Sequence, residues 1–160
     1  MKVAIIMGSD SDWRVMKSAV DTLKNFGVDV EVTVASAHRT PQKVHDFVRN
    51  SGAKIFIAAA GMAAHLAGVV ASLTTKPVIG VPISSEPFKG LDSLLSTVQM
   101  PGGIPVATMA INGAKNAAIF AAQILALQDD ALAKKITAYR EQMAAAVELK
   151  DDNIKREVLS

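Results

Sequence analysis

Residues 2–13 read KVAIIMGSDSDW. The apolar half, KVAII, has the length and β-branched content of a short buried strand, and MGSDSDW turns at once to glycine, serine and aspartate before a helical pattern begins. A strand, a small-residue turn and a helix in that order form the first half of a βαβ unit. The turn then lies at the carboxyl end of a parallel strand, where open α/β sheets bind their ligands.

The same alternation repeats along the chain. Val3–Ile6, Val30–Val34, Lys54–Ala59, Pro77–Val81 and Pro105–Ile111 are short apolar runs that read as buried parallel strands, not as alternating half-exposed ones. Helical patterns over Asp12–Phe26, Pro41–Asn50, Ala63–Ser72 and Leu91–Val98 lie between them. The expected fold is α/β: a three-layer, flavodoxin-like, doubly wound parallel sheet in the order 2-1-3-4-5. Gly27 fits a helix C-cap, and Thr40-Pro41 fits an N-cap followed by proline at the first helical position. Segments 82–93 and 100–105, rich in proline, glycine and serine, read as irregular loops near the strand ends.

From Gly113 the sequence GAKNAAIFAAQILAL is apolar on nearly all faces. It breaks at Gln128-Asp129-Asp130 and resumes as a helix to about Leu149, an extended C-terminal element. A helix apolar all round needs cover all round, so residues 113–149 are expected at the interface of a homo-oligomer. The charged tail KDDNIKREVLS reads as a short arm or a loose end. With 160 residues and no low-complexity linker, the whole chain 1–160 is expected to be one domain.

Bulk composition narrows the function. The net charge of +2, from 17 basic and 15 acidic side chains, is too small and dispersed for a nucleic-acid footprint. The absence of cysteine removes disulfide frameworks and thiolate metal sites, and the short apolar N-terminal run fits neither a signal peptide nor a membrane span, so a cytoplasmic protein is expected. Three histidines without ligand spacing give no metal site, and neither a Walker loop nor a GxGxxG turn follows the first strand.

Three loops remain as carriers of chemistry. In the first, Gly8 permits a tight turn, and Ser9 and Ser11 set hydroxyls beside the free N–H groups of a helix N-terminus, an arrangement suited to phosphate. Asp10 alone reads better as a helix cap. In the second loop, Ser36 precedes His38, whose proton affinity near neutrality suits acid/base work, and Arg39, whose guanidinium suits a charge-assisted phosphate contact. In the third, His65 is either a second ligand contact or a packed structural histidine. His45, mid-helix, reads as a partly exposed structural residue, and the seven methionines as packing material.

Taken together, GSDSDW (8–13), SAHRTP (36–41), AGMAAHLAG (60–68) and VQMPGGIPVATMAI (98–111) resemble the bacterial class I 5-(carboxyamino)imidazole ribonucleotide mutases of purine biosynthesis, over roughly Val3 to Tyr139. The resemblance implies a carboxylate shift from the exocyclic nitrogen of an aminoimidazole ribonucleotide to ring carbon 4, without cofactor, ATP or metal. It also implies that Ser9 and Arg39 hold the substrate phosphate, that Asp12 accepts from ribose hydroxyls, and that His38 is the general acid/base. Family members are octamers with active sites formed between subunits. The loops around 82–90 and 100–104 are candidates for enclosing carbon dioxide.

Two departures stand out. The family's third loop is close to AGGAAHLPG, whereas this chain has Met62 for the second glycine and Ala67 for the proline. A class II aminoimidazole ribonucleotide carboxylase shares the first two motifs, but AAHL favours the mutase. Two non-enzymatic readings fare worse. A receiver would need an acidic residue where Ala58-Ala59-Ala60 stands, and a flavin site would want more aromatic partners than Trp13.

Overall fold

The structure, a computed structural model, describes residues 1–159. Its elements are β1 (Lys2–Met7), a 3-10 turn (Asp10–Asp12), α1 (Trp13–Phe26), β2 (Asp29–Val34), α2 (Pro41–Asn50), β3 (Ile55–Gly61), α3 (Leu66–Ser72), β4 (Val78–Ile83), α4 (Leu91–Val98), β5 (Ala107–Thr108), α5 (Ala114–Ala126) and α6 (Asp130–Leu159). The five strands are parallel in the order β2-β1-β3-β4-β5.

Register explains why the central strands are continuously apolar. Val3 stands between Val30 and Ile55, and Ile5 between Val32 and Ile57. Val3, Ile5, Met7, Ile55 and Ile57 face one core layer with α1, α5 and the start of α6. Ala4, Ile6, Phe56 and Ala58 face a second with α2 and α3. Both faces of β1, β3 and β4 are therefore dry. Gly80 in β4 lets α4 approach: a Cβ there would stand 2.4 Å from Thr97 Cγ2.

The edges depart from the sequence reading. β2 is not buried throughout, because as an edge strand it has one neighbour and only Val30 packs on the core; Val32 and Val34 are 41% and 39% exposed. At the other edge β5 pairs only through Ala107 and Thr108 instead of running from Pro105 to Ile111. Pro82 of β4 has no N–H to extend that ladder, and its carbonyl accepts from Asn112 N (2.8 Å) as the chain turns away.

Gly27 ends α1 with φ +80°, its N–H bonding to Leu23 and Lys24 carbonyls. Thr40 holds the N-cap position of α2 without capping by its side chain; its Oγ1 accepts from Ser36 N (2.9 Å) and donates to Ser36 O (3.2 Å).

α5 finds much of its cover within the protomer, against α1, the sheet and α6, leaving Ile119, Phe120 and Ile124 half-buried. α6 continues past Leu149 through Leu159, the extended arm of the two readings left open for the tail, because no glycine or proline follows Gly113 and Asp151 pairs with Lys155 one turn on. Asp129 starts it, its Oδ1 accepting from Leu132 N (3.0 Å). From Arg140 onward α6 is exposed, with Met143, Val147, Ile154 and Val158 uncovered. Among the described residues no helix is long and apolar enough to cross a membrane.

Candidate active site

The loops after β1, β2, β3 and β4 converge on a cleft of about 770 Å³ at the carboxyl ends of the strands, a volume in the range that small-molecule sites occupy. Gly8, Ser9, Ser11, Asp12, Ser36, His38, Arg39 and His65 all line it. One cavity thus gathers every site residue proposed from sequence.

The β1 loop is built as a capping box. Ser9 Oγ accepts from Ser11 N (3.3 Å), and Asp12 Oδ2 accepts from Ser9 N (3.1 Å). Capping therefore falls to Ser9 and Asp12, whereas the exposed Asp10 takes hydrogen bonds from Ser11 N and the Ser9 hydroxyl. Asp12 is only 5% exposed, and this burial raises its pKa above the ordinary 3.8 even though Ser9 and Gly8 N–H groups, the Ser11 hydroxyl and the Arg14 charge all pull the other way. Gly8 does not serve as a left-handed turn. A Cβ there would meet Ala60 Cβ at an ordinary 3.5 Å, so its smallness leaves room on the cleft floor.

Arg39 ties the β2 loop to the β1 loop. Its Nη2 donates to Gly8 O (3.1 Å), while Ser36 Oγ accepts from Arg39 N (3.2 Å) and Nε (3.4 Å). The guanidinium is fixed beside the serines and keeps further donors for an anion. His38, one residue earlier, reaches over the β3 loop, where its Nε2 lies 3.1 Å from His65 Nδ1 with the rings edge-to-face at 5.2 Å.

The β3 loop explains one departure from the family pattern and accommodates the other. Met62 adopts φ +55° and is 63% exposed, so a methionine occupies a left-handed conformation that glycine adopts freely. This bend delays α3 to Leu66 instead of Ala63, which leaves His65 at the N-cap and not just inside the helix. Ala67 is the second residue of α3, where an N–H has no intrahelical acceptor, so alanine and proline are both compatible.

Some lining residues escaped the sequence reading. Arg14, Ser84, Ser85 and Glu86 border the cleft. The signal for the last three was available, since β4 lies beside β3 and its following loop had been placed near the strand ends. Segment 101–104 lines no part of it, and Met100 packs against Gly68 instead. His45 lies outside, half-exposed, with Nδ1 3.4 Å from Asp46 Oδ1. Among the described residues no three histidine, aspartate or glutamate side chains cluster as a metal site would require.

A carboxyl-end cleft lined by serines, a tethered guanidinium and paired imidazoles is the geometry on which the comparisons bear. The AIR carboxylase family model matches residues 2–146. The chain belongs to the AIR carboxylase family. Within that family it is 58% identical over 153 residues to a Methanocaldococcus jannaschii protein named N5-carboxyaminoimidazole ribonucleotide mutase, covering 96% of this chain and 97% of the relative. A Thermotoga maritima protein of the same name is 54% identical, covering 91% and 87%. The crystal structure of Treponema denticola PurE, at 31% identity, superposes with a TM-score of 0.87 over 95% of this chain and 97% of that one. The flavodoxin-like α/β fold and the sheet order 2-1-3-4-5 expected from sequence are those of this molecule.

Proposed function

We propose that this AIR carboxylase family member is an N5-carboxyaminoimidazole ribonucleotide mutase that moves the substrate's carboxylate from the exocyclic nitrogen to carbon 4 of the imidazole. The observation that carries the reading is the gathering of two groups in one cleft: Arg39 anchored at Gly8, with Ser9 and Ser11, and His38 against His65. The names of relatives at 54–58% identity support the mutase over the carboxylase.

In this reading Ser9, Ser11, Ser36 and Arg39 hold the phosphate, with Gly8 leaving space beneath it. Asp12 accepts from ribose hydroxyls, so anion cradle and carboxylate serve different ends of one ligand. The N–carboxylate bond breaks, releasing carbon dioxide into the cleft, and imidazolium His38 gives the exocyclic nitrogen its proton. Ring carbon 4 then attacks the carbon dioxide, forming the C–C bond, and the now neutral His38 removes the carbon 4 proton. His38 ends as it began, and the net change is an isomerisation. Acid/base assistance of this kind contributes about 10²–10⁴-fold. His65 orients the His38 ring. No metal or cofactor takes part.

The same reading makes the chain a cytoplasmic homo-octamer acting on a small ribonucleotide and not on nucleic acid. Exposed apolar side chains on α4 (Leu91, Leu95, Val98) and α6 support assembly, with 113–149 at the interface of a chain that is one domain from 1 to 160. The deciding experiment offers purified protein the carbamate substrate or aminoimidazole ribonucleotide plus bicarbonate. Fast conversion of the carbamate alone is expected; equal or better use of bicarbonate would make it a carboxylase.

A further inference from the structure

Arg14 takes no part in the steps above, yet its guanidinium stands at the cleft with no partner in the protein. It is exposed, it lines the cleft together with Ser9, Ser11 and Asp12, and among the described residues it makes no ion pair and no side-chain hydrogen bond. Helical side chains lean toward the N-terminal end of their helix, so the second residue of α1 extends its side chain back over the turn that carries Ser9 and Ser11. Its charge acts there: Arg14 favours the ionised form of Asp12, whose Oδ2 accepts from Ser9 N. Asp10 does not neutralise that charge, since its carboxylate takes Ser11 N and the Ser9 hydroxyl and does not line the cleft.

An arginine at this position is locally unfavourable. The first turn of a helix presents unpaired N–H groups and the positive end of the macrodipole, and it favours aspartate or glutamate, neither of which α1 has in its own first turn. A cation at that end is repelled until an anion arrives. The charges of the cleft point the same way. Arg14 and Arg39 are the only arginines or lysines lining it, and Asp12 and Glu86 are its carboxylates. A phosphate monoester carries about −1.5 to −2 charge at pH 7. Arg39 alone, part of whose fork is occupied by Gly8 O and Ser36 Oγ, would leave a net negative charge beside Asp12.

We infer that Arg14 is a second cation for the substrate's phosphate, reaching it from α1 as Arg39 reaches it from the β2 loop, and that it makes the site selective for the phosphorylated nucleotide over its nucleoside. This rests on the mutase reading, which sets the phosphate beside Ser9, Ser11 and Arg39. The two arginines differ in kind. Arg39 is tethered and positions the phosphate through its planar fork, whereas Arg14 is untethered and acts through charge.

The test compares ligands with and without the phosphate. Binding of 4-carboxy-5-aminoimidazole ribonucleotide and of the corresponding nucleoside is determined by calorimetry, at low and high ionic strength, for the parent, Arg14→Gln and Arg14→Lys. Arg14→Gln is expected to lose about 3- to 10-fold affinity for the ribonucleotide at low salt, less than a buried pair would give because Arg14 is solvated, with under about 1.5-fold change for the nucleoside. The loss should shrink at high salt, and Arg14→Lys should recover most of it, since the contact depends on charge. Without ligand, Arg14→Gln should melt no lower than the parent, because it removes a cation from the N-terminal end of a helix. Equal weakening of nucleotide and nucleoside, an unchanged nucleotide affinity, or a ligand-free variant that melts lower overturns the assignment of Arg14. A parent that binds the ribonucleotide no better than the nucleoside overturns the placement of the phosphate in the mutase reading, and this inference falls with it.

Discussion

His38 Nε2 stands 3.1 Å from His65 Nδ1, so two imidazoles from the ends of two different strands share one hydrogen bond at the cleft. One of the facing nitrogens carries the hydrogen and the other accepts it, which couples the tautomer of His38 to that of His65. If His38 is the proton carrier, His38→Asn keeps the phosphate site and loses turnover. Nucleotide binding within a fewfold of the parent and a rate at least 10²-fold lower are expected by calorimetry and steady-state assay. A variant retaining more than about a tenth of the parental rate would remove His38 from that role.

Arg39 is expected to act through binding. Its replacement by methionine deletes the contact to Gly8 O as well as the donors proposed for the phosphate, and should raise KM about 10- to 100-fold with a smaller fall in kcat. Arg39→Lys should recover little, because an ammonium cannot reproduce the planar fork. An unchanged KM in the methionine variant would place the phosphate elsewhere.

Asp12 links stability to pH through a burial that favours its neutral form. Because its folded pKa is raised above 3.8, the protein gains stability from this group at acid pH and loses it as pH climbs from just above 3.8 through the raised value. Asp12→Asn, able to accept from Ser9 N through its amide oxygen, should flatten that part of the curve and melt no lower than the parent at pH 7. Binding should weaken, since an amide is a poorer acceptor for ribose hydroxyls. Denaturant midpoints measured between pH 4 and 7 decide it; a variant as pH-dependent as the parent would mean that another group titrates there.

Met62 holds a left-handed backbone at φ +55° while burying little of its side chain. Relief of about 1–2 kcal/mol of strain in Met62→Gly, set against about 0.5–1 kcal/mol of added chain entropy on unfolding, leaves a small net gain. Melting about 1–3 °C above the parent is expected, whereas Met62→Ala should give no gain. A glycine variant that melts lower would show that the methionine side chain makes a stabilising contact.

The outer half of α6 is expected to hold copies together. Residues 140–159 touch solvent in the protomer, so ending the chain after Gln142 should leave the sheet's circular dichroism intact and lower the assembly's mass in light scattering. An unchanged mass would assign assembly to other surfaces such as α4.

Much of this molecule was legible in one dimension. The KVAII and KIFIAAA runs fixed parallel strands, since only strands dry on both faces tolerate such uniform apolarity, and Gly27 and Pro41 marked helix ends through backbone chemistry that needs no partner. Gly8, Ser9, Asp12, His38 and Arg39 were readable as one site because strand order alone brings their loops together. What remained hidden depended on neighbours distant in the chain. Val32 and Val34 are exposed because β2 is an edge, β5 is short because Pro82 faces it, and Gly80 is a glycine because Thr97 of α4 packs where a side chain would stand. Local sequence sets backbone preference and periodicity; burial and the pairing of polar groups are properties of surfaces that meet only after the chain has folded.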